Sequence, residues 1–137
     1  MFENLSGMDK VILFSLPVSL PVATGQELFP GAMVTVDNSG KVILATTNST
    51  PWYICISDSQ EPMVKAAGTV ALIAGDSRCL TDNFVNGASL SVGTELAIAP
   101  GGKLKVATTT EGVKDIVVGY VEHVVSESPL QAIVRMF

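Results

Sequence analysis

Charge is scarce in this sequence. Asp, Glu, Lys and Arg make up 15% of its 137 residues, against about 25% in an average soluble domain. Basic residues are the scarcer kind. Eight Lys and Arg face thirteen Asp and Glu, for a formal net charge of −5 and a pI of about 4.6. The eight are scattered along the chain, whereas a nucleic-acid backbone is met by clustered positive charge, so no nucleic-acid partner is expected. Histidine occurs once, at His123, and a lone histidine is rarely a metal ligand or a general base. The two cysteines, Cys55 and Cys79, are too few for a disulfide framework. Neither has a metal-type spacing to the other or to His123. A Gly-rich phosphate loop between a strand and a helix is also missing. No cofactor and no metal is expected.

Long helical patterns are missing too. The most apolar stretch, "KVILFSLPVSLPVATG", is broken by Pro17 and Pro21 and is too short to cross a bilayer as a helix. No membrane partner is expected. Glu3 and Asp9 spoil the positive n-region that a signal peptide would need. The prolines favour instead an extended arm over residues 11–23. From Leu16 onward its apolar residues alternate, and Pro17 and Pro21 fall on the opposite parity, which suits an edge strand. Val11, Ile12, Leu13, Phe14, Leu16, Val18, Leu20 and Val22 are the residues expected to contact another subunit or a larger surface. Residues 1–27 are read as arm and connector, and residues 28–137 as one barrel-like domain.

What the chain has in quantity is apolar residues, 47% of the total, and short alternating runs. In "GAMVTVDNSGKVILATT", Val34, Val36, Val42 and Leu44 alternate with polar residues on either side of Asp37–Gly40. A period of two marks a half-buried strand, and Asp, Asn and Gly mark a turn, so the stretch reads as a hairpin. "GTELAIAPGGKLKVATT" repeats it sixty-two residues later, with Leu96, Ile98, Leu104 and Val106 in register. Gly31/Gly93, Gly40/Gly102 and Lys41/Lys103 are identical. Two inward pairs are expected, Val36 with Ile98 and Leu44 with Val106. Further strands are expected at "WYICIS", "VALIAG", "IVVGYVEHVV" and "LQAIVRMF". Residues 78–92 give no readable pattern. Strands about every ten residues with turns between them define an all-β chain, here a small β-barrel or β-tulip-like sandwich with a duplicated hairpin.

Chemistry-bearing candidates are few. "VALIAGDSRCL" runs a strand into Gly75-Asp76-Ser77, as in the nucleophile block of GDSL-type esterases. That family also carries an Asp-x-x-His near the C-terminus, and three residues before His123 stands Tyr120. Gly-Asp-Ser is otherwise an ordinary turn tripeptide. Lys41 and Lys103 sit at hairpin turns, as the modified lysine of lipoyl and biotinyl carriers does, but lack the flanking residues of those domains. Trp52 and Tyr53 begin a strand and read as core aromatics, and Cys55 as a small core hydrophobe. The chain is not expected to be an enzyme.

The order of the phrases resembles another family. "PGAMVTVDNSGKVILATT", "ICISDSQE", "AAGTVALIAGD", "VGTELAIAPGGKLKVATT", "IVVGYVEHVV" and "AIVRM" follow one another as in the small capsid decoration, or cement, proteins of tailed bacteriophages. The resemblance covers roughly residues 28–136 and rests on glycine, turn and alternation. It implies a non-enzymatic virion protein, made in the bacterial cytoplasm. Such a protein binds the outside of an assembled head and stabilises the junctions between major capsid subunits. It also implies self-association, first as a homotrimer and next as a dimer. Other readings are a tail-tube or head-fibre base subunit, a small esterase using Ser77, and a secreted β-sandwich module.

Overall fold

A computed structural model of the chain describes residues 17–137. Its strands are short, and they run in two series. The first holds β1 (Val18–Pro21), β2 (Met33–Val36), β3 (Val42–Leu44), β4 (Tyr53–Cys55) and β5 (Thr69–Ile73), with a six-residue helix α1 (Pro62–Ala67) before β5. The second holds β6 (Ser77–Thr81), β7 (Glu95–Ala99), β8 (Lys103–Val106), the two-residue pair β9 (Thr109–Thr110) and β10 (Val113–Lys114), β11 (Gly119–Glu127) and β12 (Leu130–Met136). The first series forms one five-stranded antiparallel sheet ordered β1-β5-β4-β2-β3, and the second forms another ordered β6-β12-β11-β7-β8. The chain is all-β, as its alternation implies.

The two orders are the same order. In the first hairpin Val34 faces Leu44 and Val36 faces Val42; in the second Leu96 faces Val106 and Ile98 faces Leu104. The partners of each comparison stand sixty-two residues apart. The agreement extends beyond the hairpins. A parallel bridge joins Val22 to Val42, and another joins Phe84 to Leu104. Gly31 N donates to Cys55 O as Gly93 N donates to Val121 O, and Gln26 N donates to Ala23 O as Ala88 N donates to Val85 O. Left-handed glycines match at Gly25/Gly87, Gly31/Gly93 and Gly40/Gly102. The duplication therefore covers both sheets entire, including residues 78–92. There "NGASLSVG" repeats the Gly-x-x-Leu-x-x-Gly spacing of "TGQELFPG". The halves differ where loops do. The second inserts the β9–β10 pair before β11, and the first inserts α1 where β11 and β12 meet in a direct hairpin.

Each sheet curls until its two edges meet at the single parallel bridge, and no continuous ladder closes either one. The one barrel expected over residues 28–137 is thus two curled sheets, each with its own filling. Leu28, Ala32, Val34, Val42, Cys55, Val70 and Leu72 fill the first. Leu96, Ile98, Leu104, Val121, Val134 and Met136 fill the second, joined by Met33, Ala45 and Ile54 from the first series. The expected inward pairs are present in unequal form: Ile98 is fully buried and Val36 half-buried, while Leu44 and Val106 are both half-buried. Strand β2 is buried on both faces, because Val34 enters one core and Met33 the other. That is why "AMV" reads as a continuous apolar run.

The boundary drawn at residue 27 also moves. Strand β1, assigned to the arm, pairs along its whole length with β5 inside the first sheet. Proline is tolerated there because β1 is an edge, with one side free of ladder bonds. Helix α1 buries no residue fully and owes its existence to its ends. Glu61 accepts hydrogen bonds from Met63 N and Val64 N, Pro62 opens the first turn, and Gly68 closes the last in the left-handed conformation.

The halves meet at Gly102. Met33 N donates to Gly102 O (2.8 Å), and Gly102 N donates to Ala45 O (3.0 Å). A Cβ at residue 102 would stand 2.5 Å from Met33 O, whereas the equivalent Gly40 has open space around it. Both have positive φ, 70° and 76°. Two substitutions separate conformational strain from crowding. Gly40→Ala should cost about 1 kcal/mol, the strain alone. Gly102→Ala should cost about 3 kcal/mol or more, because a backbone oxygen cannot move aside. Ile98→Ala should cost about 2–5 kcal/mol as a buried truncation. Urea unfolding of the three variants checks all these values.

Candidate functional site

Just beyond β6 the chain places Asn83, which is almost fully buried. Its Nδ2 donates to Gly31 O (3.0 Å) and to Gly102 O (2.7 Å). Its backbone N donates to Thr81 Oγ1, and its carbonyl accepts from Leu104 N. One side chain thus ties the entry turn of the first half to the hairpin turn of the second. The alternation pattern does not single Asn83 out, since it lies within the segment that reads as patternless. The signal that finds it is the full repeat, in which Asn83 occupies the place held by Pro21 in the first half. A side-chain amide replaces a proline at the point where the halves must be joined.

Beside this tie runs a groove of about 410 Å³. One wall is Pro30, Gly31 and the end of β4 with Ile54, Cys55 and Ile56; the other is Cys79, Leu80, Thr81 and Asp82 of β6 and its continuation. Both cysteines are free thiols. Burial pushes both above the ordinary thiol range. At Cys55 a backbone hydrogen bond with Ser57 opposes that rise, and the nearby Asp58 charge adds to it. Protonated thiols, one buried and the other half-buried, are poor nucleophiles. The groove therefore offers apolar walls and a strand edge rather than reactive groups.

The remaining candidates are dispersed. Ser77 begins β6 opposite Met136, and its hydroxyl is buried with no hydrogen-bond partner among the described residues. A nucleophilic serine needs a bonded base, and none bonds Ser77. Gly75 and Asp76 form the turn between β5 and β6, where Asp76 accepts from Arg135 Nη2 at 2.9 Å. His123 is exposed on β11 and pairs with Ile133 beside a β-bulge. Lys41 and Lys103 are both exposed, at equivalent hairpin positions. Trp52 packs against the second core and Tyr53 against the first. Of the arm residues, Val11, Ile12, Leu13, Phe14 and Leu16 lie outside the described residues. Leu20 and Val22 pack against the first core, and Val18 is exposed at the start of β1. Among the described residues, no three His, Cys, Asp or Glu side chains converge to hold a metal. No protein-family model matches the chain, and neither a curated protein nor a solved structure matches it.

The tie at Asn83 has a measurable weight. Asn83→Ala leaves Gly31 O and Gly102 O without their side-chain donor in a buried place. The loss should lie at about 1–3 kcal/mol, read as a lower urea midpoint with an unchanged slope.

Proposed function

We propose that this chain is a non-enzymatic structural component of a tailed-phage virion. It attaches to the outside of the assembled head and strengthens the junctions between major capsid subunits. The observation that carries this reading is a surface poor in charge and studded with large apolar side chains. Met63 is 80% exposed, Val92 71%, Val113 66% and Leu80 64%, in a chain with only 15% charged residues. Depletion of charge is what sets the core of a protein interface apart from the rest of a surface. The choice of a phage head over other assemblies rests on the resemblance of the glycine, turn and strand phrases to decoration proteins. The cores of both sheets give the body the rigidity that a clamp between subunits requires.

The mechanism follows from linkage. Packed DNA pushes the shell outward. A protein that binds the expanded lattice, and not its dissociated subunits, adds its binding free energy to the expanded state alone. Many copies multiply a modest contact.

Heads assembled from the major capsid protein encoded in the same genome provide the test. The chain should co-sediment with expanded heads and raise the temperature at which they disrupt. A chain that stays in the supernatant with intact heads defeats the proposal. Hydrolysis of a simple aryl ester that disappears in Ser77→Ala would replace it with the esterase reading.

A further inference from the structure

We infer that the free edge of β6 is the docking site for residues 11–16 of a second copy of this chain, which add there as a further strand. The inference rests on the self-association that the resemblance to decoration proteins implies, and it names the contact.

Four strands stand at the edges of the two five-stranded sheets, and three of them are blunted. Pro17 and Pro21 flank and end β1. On β3, Leu44 N already donates to Gln26 Oε1 at 2.9 Å. On β8, Lys103 and Lys105 place charge along the strand. Natural edges are protected in these ways against pairing with foreign strands. The fourth edge, β6, is not. Its one charge, Arg78, is bound to Glu122 at 2.9 Å. Leu80 stands 64% exposed, and the groove lined by Ile54, Ile56 and Leu80 runs beside the strand. No described strand pairs with the far side of β6. Alternate residues of such an edge point their N–H and C=O groups outward. An added strand would gain ladder bonds from the edge and apolar contact from the groove.

The occupant is indicated by the sequence that leads into β1. Val11-Ile12-Leu13-Phe14-Ser15-Leu16 has no charge and no proline, so every residue can donate its N–H. The segment joins the body at Pro17, next to Val18. Val18 lies opposite Leu72, and Leu72 lies opposite Cys55, a wall residue of the groove. Strands β5 and β4 therefore lie between the entry point and the groove of its own chain. To reach its own β6 the segment would have to cross β5 and β4, whereas the edge of another copy requires no such crossing. The contact is head-to-tail, and such contacts give rings where the rotation closes and open filaments where it does not.

Complementation between two full-length variants provides the test. Ile12→Pro combined with Phe14→Pro spoils the strand and leaves the edge intact. Leu80→Lys places charge on the edge and leaves the segment intact; Leu80→Asn serves if Leu80→Lys fails to fold. Light scattering should find the parent chain oligomeric, each variant alone at the 14.3 kDa monomer mass, and an equimolar mixture recovering a species of twice that mass. A monomeric parent, an oligomer that survives either variant, or a mixture that stays monomeric each overturns the inference. Head binding is scored separately by co-sedimentation, so this contact and the capsid reading fail independently.

Discussion

Two backbone segments from opposite halves of the chain touch at Gly102 and Met33, and the rest of the architecture depends on that approach. Each half alone is a five-stranded sheet of about sixty residues. A domain of that size buries roughly 60% of its unfolded surface and is marginal. The contact at Gly102 lets the second hairpin lie against β2 closely enough for Met33, Ala45 and Ile54 to leave the first sheet's surface and enter the second core. Two weak cores thereby become one stable body. A side chain at residue 102 would hold the halves apart, and Asn83 would lose the carbonyl pair it bridges.

The duplication explains the economy of the design. One solution to strand order, turn placement and edge closure is used twice, and variation is confined to the loops. Helix α1 and the β9–β10 pair are additions at places where the other half makes do with a shorter connection. The cores vary in size for the same reason. The second takes larger residues and borrows from the first, so Ile98 is sealed where Val36 is only half covered.

The hairpins were legible in the sequence because they alternate and because both carry Gly and Lys at the same places. The extent of the repeat was not. Residues 78–93 share only Gly87, Leu90 and Gly93 with residues 16–31 at equivalent places in their turn region. Three residues at wide spacing do not register as a strand or helix period. The placement of β1 was half legible. The parity of Pro17 and Pro21 indicated an edge strand, but only the pairing with β5 places that edge in the chain's own sheet. Asn83 was hidden because a single buried amide has no periodicity. Among the described residues, Ser77 Oγ has no hydrogen-bond partner and both thiols are free. Tertiary contacts between distant turns leave almost no trace in local pattern.

Gly40 and Gly102 occupy the same place in their hairpins, yet one looks out on solvent and the other is walled in by the opposite half. Two copies that were perfectly equivalent would form an object with a two-fold axis, able to sit on a surface equally well either way round. The unequal turns remove that axis. The molecule has a distinguishable front and back, and its fused halves cannot be interchanged.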